Sequence, residues 1–352
     1  MHIKITARTC ILPCFLLLAA ACSYPERDAQ QKQADARPRM HMVTREHLFA
    51  VEARDESAWI AGFEGTIMHT SDSGATWQAQ ASPVREDLYD ICFVNSTTGW
   101  ITGKKGTVLH TRDGGKKWIA QESSTDQRLF DACFIDEQTG WIVGTMGTVL
   151  HTADGGATWV KQGWNEDRYY NGVFFIDARR GWIVGEYSII YHTEDGGANW
   201  VPQQCAELQP VDTGNDFPPP PPNLYGVCFT SPDLGWITGM DGTIIRTQDG
   251  GATWKRLTAK ADFTLYKVAV IKDRGWAIGA KGSYLESLDG GTTWNLREDA
   301  LGTKFWLRDM VFSDARHGWI VGAAGLILST DTGGTTWKRV SGIYSKMQGA
   351  QQ

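Results

Sequence analysis

The fold is decided by one recurring stretch, of which residues 141–159 are a clean copy: WIVGTMGTVLHTADGGATW. Its first tryptophan is followed by a second one 18 residues later, and the chain repeats this spacing seven times. A fixed internal spacing that recurs along a chain indicates one supersecondary unit present in several copies. The pairs are Trp59/Trp77, Trp100/Trp118, Trp141/Trp159, Trp182/Trp200, Trp236/Trp254, Trp276/Trp294 and Trp319/Trp337.

The first tryptophans of successive copies lie 41, 41, 41, 54, 40 and 43 residues apart. Such a period is typical of a propeller blade made of four short strands and their turns. We therefore predict an all-β fold, a seven-bladed β-propeller of four-stranded antiparallel blades, each contiguous in sequence. The first strand should begin near Leu48 and the last should end near Val340, so that the first and last blades meet through side chains. The longest interval holds an insertion, residues 201–223, whose proline run Pro218 to Pro222 favours a rigid spacer; an arm that contacts a partner is the alternative.

The turn between the third and fourth strands carries the most regular motif, for example Thr152-Ala-Asp154-Gly-Gly-Ala-Thr-Trp159. The Asp side chain can accept backbone N–H bonds inside the turn, the glycines supply positive φ, and the tryptophan packs beneath the hairpin. In the seventh copy Thr332 stands in place of the aspartate, so a looser turn is expected there. This motif is the Asp-box, or bacterial neuraminidase repeat, and it predicts turn architecture rather than ligand binding. The structural aspartates of the other six copies are Asp72, Asp113, Asp154, Asp195, Asp249 and Asp289.

The longer pattern of each copy runs V/I-x-F, a polar turn, Gly-Trp, Gly-x-x-Gly-Thr and two hydrophobic residues, and then the Asp-box. It resembles the photosystem II stability/assembly factor-like propellers, and the resemblance covers all seven copies. The resemblance implies a seven-bladed, exported, often lipidated and non-enzymatic protein that helps to assemble membrane proteins through an arginine-rich surface. The segment Glu166-Asp167-Arg168-Tyr169-Tyr170 is similar to the arginine-bearing segment of that family.

The N-terminus has the features of an exported lipoprotein. Lys4 and Arg8 precede an apolar run that is too short to span a bilayer. The run ends in Leu18-Ala-Ala-Ala-Cys22, which resembles a lipobox, so we expect lipidation of Cys22; a plain secretory signal is the alternative. The expected organisation is a signal peptide at 1–21, a lipidated tether at 22–46, the propeller at 47–343 and a tail at 344–352. Ser23 favours sorting to the outer membrane, and hence a lipid-anchored protein of the cell envelope that faces the periplasm.

Charge and cysteine usage exclude several classes of function. The formal net charge is −6, and removal of residues 1–21, which hold two basic and no acidic residues, changes it to −8. An acidic chain argues against nucleic acid as a partner, and the cysteine spacing does not fit a zinc site. We expect no metal and no cofactor. Cys92, Cys133 and Cys228 share one repeat position and are expected to be small core side chains; whether Cys228 pairs with Cys205 stays open.

Cations concentrate on one predicted face of the propeller. If the first strand of each blade lines the channel, then the connections between blades and the corners between second and third strands share one face. The expected partner-binding residues on that face are Arg85, Lys104, Lys105, Arg128, Arg168 and Arg308. The alternative is a merely solvated rim, since Glu86, Asp87, Glu166 and Asp167 dilute the charge.

Two further sets of residues recur from blade to blade. Near the start of the first strands, an aromatic position is expected to serve packing between blades, with a sugar-binding rim as the alternative; it holds Phe49, Tyr89, Phe130, Tyr225 and Tyr266, with Asn171 and Arg308 in the other two blades. At the end of the third strands, a histidine recurs that is expected to be structural and hydrogen-bonded, because these positions are too far apart to share a metal ion; the residues are His69, His110, His151 and His192.

Together these observations predict a monomeric, non-enzymatic envelope lipoprotein that binds a membrane-protein or envelope partner as an assembly or stability factor. The alternative is an Asp-box glycosidase, sialidase- or glucanase-like, or a carbohydrate-binding propeller. A glycosidase needs two carboxylates at the substrate, and Asp90, Asp131 and Asp309 are the candidates near the channel. The seven copies and the absence of an Arg-Ile-Pro segment disagree with the six-bladed sialidases.

Overall fold

Seven four-stranded antiparallel sheets make up the part of the chain that the structure describes. The computed structural model describes residues 47–164, 166–210 and 219–340. Blade 1 comprises β1 (Leu48–Arg54), β2 (Ser57–Gly62), β3 (Ile67–Thr70) and β4 (Gln78–Ala79). Blade 2 comprises β5 (Leu88–Phe93), β6 (Gly99–Gly103), β7 (Val108–Thr111) and β8 (Ile119–Gln121). Blade 3 comprises β9 (Leu129–Phe134), β10 (Gly140–Gly144), β11 (Val149–Thr152) and β12 (Val160–Lys161).

The remaining blades follow the same order. Blade 4 comprises β13 (Tyr170–Phe175), β14 (Gly181–Gly185), β15 (Ile190–Thr193) and β16 (Val201–Gln203). Blade 5 comprises β17 (Leu224–Phe229), β18 (Gly235–Gly239), β19 (Ile244–Thr247) and β20 (Lys255–Arg256). Blade 6 comprises β21 (Leu265–Ile271), β22 (Arg274–Gly279), β23 (Tyr284–Ser287) and β24 (Asn295–Leu296). Blade 7 comprises β25 (Leu307–Phe312), β26 (Gly318–Gly322), β27 (Ile327–Thr330) and β28 (Lys338–Arg339).

The first strands of the seven blades contact one another in a closed ring, in which β25 packs against β1. This arrangement confirms the predicted seven-bladed propeller with blades that are contiguous in sequence. The ring closes through side chains, as expected. At the closure, the Val51 backbone N–H donates to Asp309 Oδ2 over 2.8 Å.

The first tryptophan of each blade joins that blade to the next one. Trp141 stacks on Phe175 of the next blade, with ring centroids 3.5 Å apart, and its other side packs on His151 at 5.0 Å. Its indole N–H donates to the carbonyl of Gly196, in the Asp-box of the next blade, over 3.0 Å. The tryptophan spacing therefore reflects contacts between blades. The same kind of hydrogen bond is made by Trp59, Trp100, Trp182 and Trp236.

The recurring histidines are held by stacking on these tryptophans. His110 lies 4.8 Å from Trp100, in a parallel arrangement, and its Nε2, like that of His69, is buried without a hydrogen-bond partner among the described residues. The expected hydrogen-bonded role is therefore wrong for these two. Burial lowers the pKa of His110 to about 4, so the ring that stacks is neutral.

The Asp-box turn is held by one carboxylate and one hydroxyl. In blade 3, Asp154 Oδ1 accepts the Thr158 backbone N–H at 2.8 Å, and Thr152 Oγ1 accepts the Gly156 N–H at 2.8 Å. In the seventh copy the hydroxyl of Thr332 accepts the equivalent N–H of Thr336 at 2.9 Å. The looser turn expected there is not observed. What the threonine lacks is the second carboxylate oxygen, which in blade 3 accepts the Thr158 hydroxyl at 2.6 Å.

A second contact between blades was not anticipated from the sequence. Three residues after the second tryptophan, blades 1 to 4 carry a glutamine whose amide donates to the Asp-box of the next blade, at 2.9–3.2 Å. Blade 6 has Arg297 at this place, and its Nη1 lies 2.7 Å from Oε2 of the buried Glu286. Arg274 pairs with the same carboxylate. Glu286 occupies the repeat position of the histidines. In this blade an ionic cluster therefore replaces both the stacked histidine and the glutamine hydrogen bond. The four glutamines are Gln80, Gln121, Gln162 and Gln203.

The described part of the insertion packs on blade 5 and on the corner of blade 4. Cys205 is fully buried, and its thiol lies 3.5 Å from the Trp254 carbonyl. The Pro222 carbonyl accepts the Ser188 N–H at 2.9 Å. Cys205 and Cys228 are both free thiols, so the open question of their pairing is answered against a disulfide in this structure.

The signal peptide at 1–21, Cys22, the tether at 22–46, the tail at 344–352 and Pro218 lie outside the described residues. Within the described ranges, no helix has the length and apolar character that crossing a membrane requires.

Candidate partner-binding face and central channel

The corners between second and third strands lie against the connections between blades. The Gly147 N–H donates to the Arg168 carbonyl at 2.9 Å, and the Thr145 N–H donates to the Arg128 carbonyl at 3.0 Å. Each corner is thus held between the connection that enters its own blade and the one that leaves it. These loops together form one surface, which we call the arginine face.

The arginines of this face differ in what holds them. Arg85, Arg128 and Arg168 are exposed, and Arg308 is half-buried. Arg168 lies over the Tyr187 ring at 4.8 Å from its centroid, and Arg308 lies over Tyr266 at 5.3 Å. No ion pair holds Arg85 or Arg128 within the part of the chain that the structure describes. The two arginines are therefore open to an external anion.

The two lysines expected in the patch are neutralised by their own neighbours. Lys105 Nζ lies 3.1 Å from Glu86 Oε1, and Lys104 Nζ lies 3.9 Å from Asp87 Oδ2. The hydrogen bond from Lys105 lowers the pKa of Glu86 below its usual value. These pairs agree with the dilution of charge by Glu86 and Asp87, and the four arginines are the cations of this set that have no ion pair among the described residues.

Exposed apolar side chains share the arginine face, and sequence reasoning missed them. They are 39–46% exposed, and two of them, Met146 and Tyr187, stand at corner positions with positive φ. The other blades have small or charged residues at this corner position. This contrast between blades is the feature of the sequence that could have indicated the exposed apolar residues. Exposed aromatic residues beside arginine are typical of protein-binding hot spots. The set is Met146, Tyr169, Tyr187, Phe263 and Phe305.

The channel opens in the centre of this face through a rim of aromatic rings. Phe49 lies 5.8 Å from Tyr89, which lies 5.7 Å from Phe130. On the other side Tyr225 lies 5.4 Å from Tyr266. The rings pack from blade to blade, as expected, and the cavity below them has a volume of about 380 Å³.

Three aspartates below the rim hold neighbouring blades together. Asp90 Oδ2 accepts the Ala132 N–H at 3.0 Å, and Asp131 Oδ2 accepts the Val173 N–H at 2.7 Å. Burial raises the pKa of both carboxyl groups, that of Asp131 to about 6. One oxygen of each therefore has a structural role, and the other can face a ligand.

The three cysteines at one repeat position line this channel. They also pack against the hydrophobic core clusters, as expected. Cys133 Sγ accepts the Phe175 N–H at 3.3 Å, which repeats the bridging contact of the aspartates. Burial raises the pKa of Cys133 to about 12, so this thiol is protonated and a poor nucleophile. Among the described residues, no group of acidic, histidine and cysteine side chains could hold a metal ion.

The amino-acid sequence matches the family model of the photosynthesis system II assembly factor YCF48 at residues 76–128, 116–212, 218–294 and 260–351. These segments span well over half of the chain. The chain belongs to the YCF48 family. No curated protein matches the sequence.

Solved structures share the propeller. The one described as YCF48 bound to D1 peptide has a TM-score of 0.66 and 21% identity, and covers 82% of this chain and 94% of its own. YCF48 from Cyanidioschyzon merolae has a TM-score of 0.65 and 19% identity, with coverage of 82% and 96%. The GH74 xyloglucanase from Xanthomonas campestris has a TM-score of 0.68 and 13% identity, with coverage of 86% and 55%. At these identities the likeness shows the fold alone.

Proposed function

We propose that this YCF48-family chain is a non-enzymatic binding protein that holds a membrane-protein partner by its arginine face. In this proposal the protein is exported, carries a lipid on Cys22 and faces the periplasm, with the outer membrane as its site. It works as a monomer and acts as an assembly or stability factor. The lipid would confine the arginine face near the membrane and so raise its effective concentration for a membrane protein.

The observation that carries the proposal is the composition of the arginine face. Arg85 and Arg128 have no intramolecular ion pair among the described residues, and exposed Tyr169 and Tyr187 lie beside Arg168. Arginine and tyrosine side chains are enriched where proteins bind proteins. A family relative is described as bound to a D1 peptide, and we extend peptide binding to this chain. Unpaired arginines favour an acidic segment of the partner.

The proposal is tested by reversing three charges, in the variant Arg85→Glu/Arg128→Glu/Arg168→Glu. Partner recovery from detergent-solubilised membranes should fall about tenfold or more, as expected when charge complementarity is reversed. Recovery by the wild type should fall as salt is raised. Thermal stability should not change, because exposed loop charges contribute little to it.

The matched control reverses three charges on the outermost strands, Lys161→Glu, Lys255→Glu and Lys338→Glu, and should recover the partner as well as the wild type does. Equal recovery by both triple variants, with the same dependence on salt, would show that the arginine face is only a solvated surface. The same preparations should not hydrolyse xyloglucan or sialosides. Turnover that Asp131→Asn abolishes would favour the glycosidase alternative instead.

A further inference from the structure

The central channel combines a cavity, buried carboxylates and an aromatic mouth, and the proposed partner binding uses none of them. We propose that this channel binds an alkylammonium group, held by Asp90 and Asp131 beneath the aromatic arc of Phe49, Tyr89 and Phe130. The ligand is a protonated primary amine, carried either by a free small molecule or by a lysine side chain. This site opens in the centre of the arginine face, but its two carboxylates are not among the residues of the proposed partner binding.

The chain itself shows how the channel accommodates an ammonium group. At the repeat position of the three aspartates, blade 6 has Lys267, whose Nζ lies 2.9 Å from Asp309 Oδ1 in blade 7. The blade before Asp90 has Ala50 at this position, and the blade before Asp131 has Asp90 itself. Only one of the three carboxylates thus has an ammonium contact among the described residues. Asp90 and Asp131 are the two that lack one.

The unused carboxylate oxygens are well placed for a ligand. Asp90 is only 8% exposed, and Oδ2 accepts the Ala132 N–H. Its Oδ1 has no hydrogen-bond partner within the described ranges, and the residue lines the cavity. Burial and repulsion by Asp131 raise the pKa of Asp90 well above its usual value, although Lys267 acts in the opposite direction. A second cation in the channel would relieve this repulsion.

The mouth above these two carboxylates is formed by aromatic rings, whereas on the side of Asp309 the cation Arg308 lies over the Tyr266 ring. Tyr89 and Phe130 directly precede Asp90 and Asp131, and Arg308 directly precedes Asp309. Aromatic faces attract a cation that is partly stripped of water. The cavity volume of about 380 Å³ lies at the lower end of the range for small-molecule sites. Rings above and carboxylates below favour an ammonium ion over a neutral sugar.

Two other carboxylates in the channel are already paired, and the lining cation Arg308 lies over Tyr266 without an ion pair among the described residues. Glu52 is bound by Arg54 and by the Ala53 N–H at 2.9 Å, and Asp309 is bound by Lys267. Burial keeps the thiols of Cys92 and Cys133 protonated by raising their pKa values. The carboxyl groups available to a ligand are therefore those of Asp90 and Asp131, and a bound ammonium ion would favour their ionised forms.

Calorimetric titration of the full-length protein with butylammonium chloride at pH 7.5 tests the proposal. We expect saturable binding by the wild type, and binding at least about tenfold weaker by Asp90→Asn/Asp131→Asn, which corresponds to about 1.4 kcal/mol. Asparagine can still accept the backbone N–H, so this variant should keep its fold and its thermal stability. 1-Butanol, which is similar in size and neutral, should not bind.

Asp126→Asn/Glu64→Gln is the matched control, because it removes two acidic charges from loops of the same face outside the channel. It should bind butylammonium as the wild type does. Absence of saturable binding by the wild type, or equal binding by the channel variant and the control, would overturn the proposal. The Arg85→Glu/Arg128→Glu/Arg168→Glu variant should bind butylammonium as the wild type does. A failure of the proposed partner binding can therefore be distinguished from a failure of amine binding.

A second titration separates the two sources of the amine. A short neutral peptide with one lysine is compared with the same peptide in its Nε-acetylated form. Tighter binding of the lysine peptide than of butylammonium would assign the channel to a polypeptide side chain. Weaker binding of the lysine peptide would assign the channel to a free amine. In both cases the free lysine peptide should bind more tightly than the acetylated one. Equal binding of the acetylated and free peptides would contradict recognition of an ammonium group.

Discussion

Trp159 packs in a buried cluster of blade 3 with Leu150 and with Phe134, whose ring it meets edge-on at 6.0 Å. Removal of a large aromatic side chain costs both its transfer free energy and the cavity that remains. Trp159→Ala should therefore lower the free energy of unfolding by about 3–5 kcal/mol, as measured by urea denaturation. Ile119→Ala is the control, because Ile119 is 57% exposed and its loss should change stability by no more than about 0.5 kcal/mol. Similar values for both variants would show that the tryptophan does not support the blade.

At the scale of the element, an ionised carboxylate stabilises the Asp-box turn of blade 3. The hydrogen bonds of Thr158 to Asp154 lower the pKa of this carboxyl group to about 2. Because the folded pKa lies below the unfolded one, its contribution to stability is present above about pH 4 and is lost as the pH falls towards 2. Thr332→Asp should give the seventh turn the missing oxygen and stabilise the protein by about 0.5–1 kcal/mol at pH 7. Thermal denaturation of the variant and of the wild type at pH 7 and pH 2.5 measures this gain, and a gain that is undiminished at pH 2.5 would contradict the role of the charge.

At the scale of the whole molecule, the contacts between blades are unequal around the ring. Between blades 7 and 1, Trp319 meets Ala53 instead of an aromatic ring, and its indole N–H has no hydrogen-bond partner among the described residues. The lowest-energy opening of the structure should therefore occur at this closure. Native-state hydrogen exchange should give lower opening free energies for the amides of β1 and β25 than for those of β9 and β13. Equal values in the two pairs of strands would show that the ring opens as one unit.

The sequence predicted the number of blades, their boundaries and the position of the arginine face, because each depends on periodic spacing. It did not predict which side of the first strand faces the channel. A β-bulge between Leu88 and Asp90 shifts the alternation of side chains, and Cys92 lines the channel as well as packing against the core. It also did not predict that Lys105 pairs with Glu86, because loop position does not determine which side chains meet. The Glu286 cluster occurs in a single blade, so no repetition revealed it.

The indole of Trp141 reaches its hydrogen-bond acceptor 55 residues further along the chain. Ribosomal synthesis proceeds from the N-terminus. When a blade leaves the ribosome, the hydrogen-bond acceptor of its tryptophan, in the Asp-box of the next blade, has therefore not yet been made. A nascent chain of this protein has an apolar edge without a partner on its most recently made blade, and blade 1 keeps a second one until blade 7 is made. The last such edge, at Trp319, is covered only by the first blade. A chain truncated after any of blades 1 to 6 should therefore aggregate. A circular permutant that begins at another blade boundary retains every contact between blades and should fold.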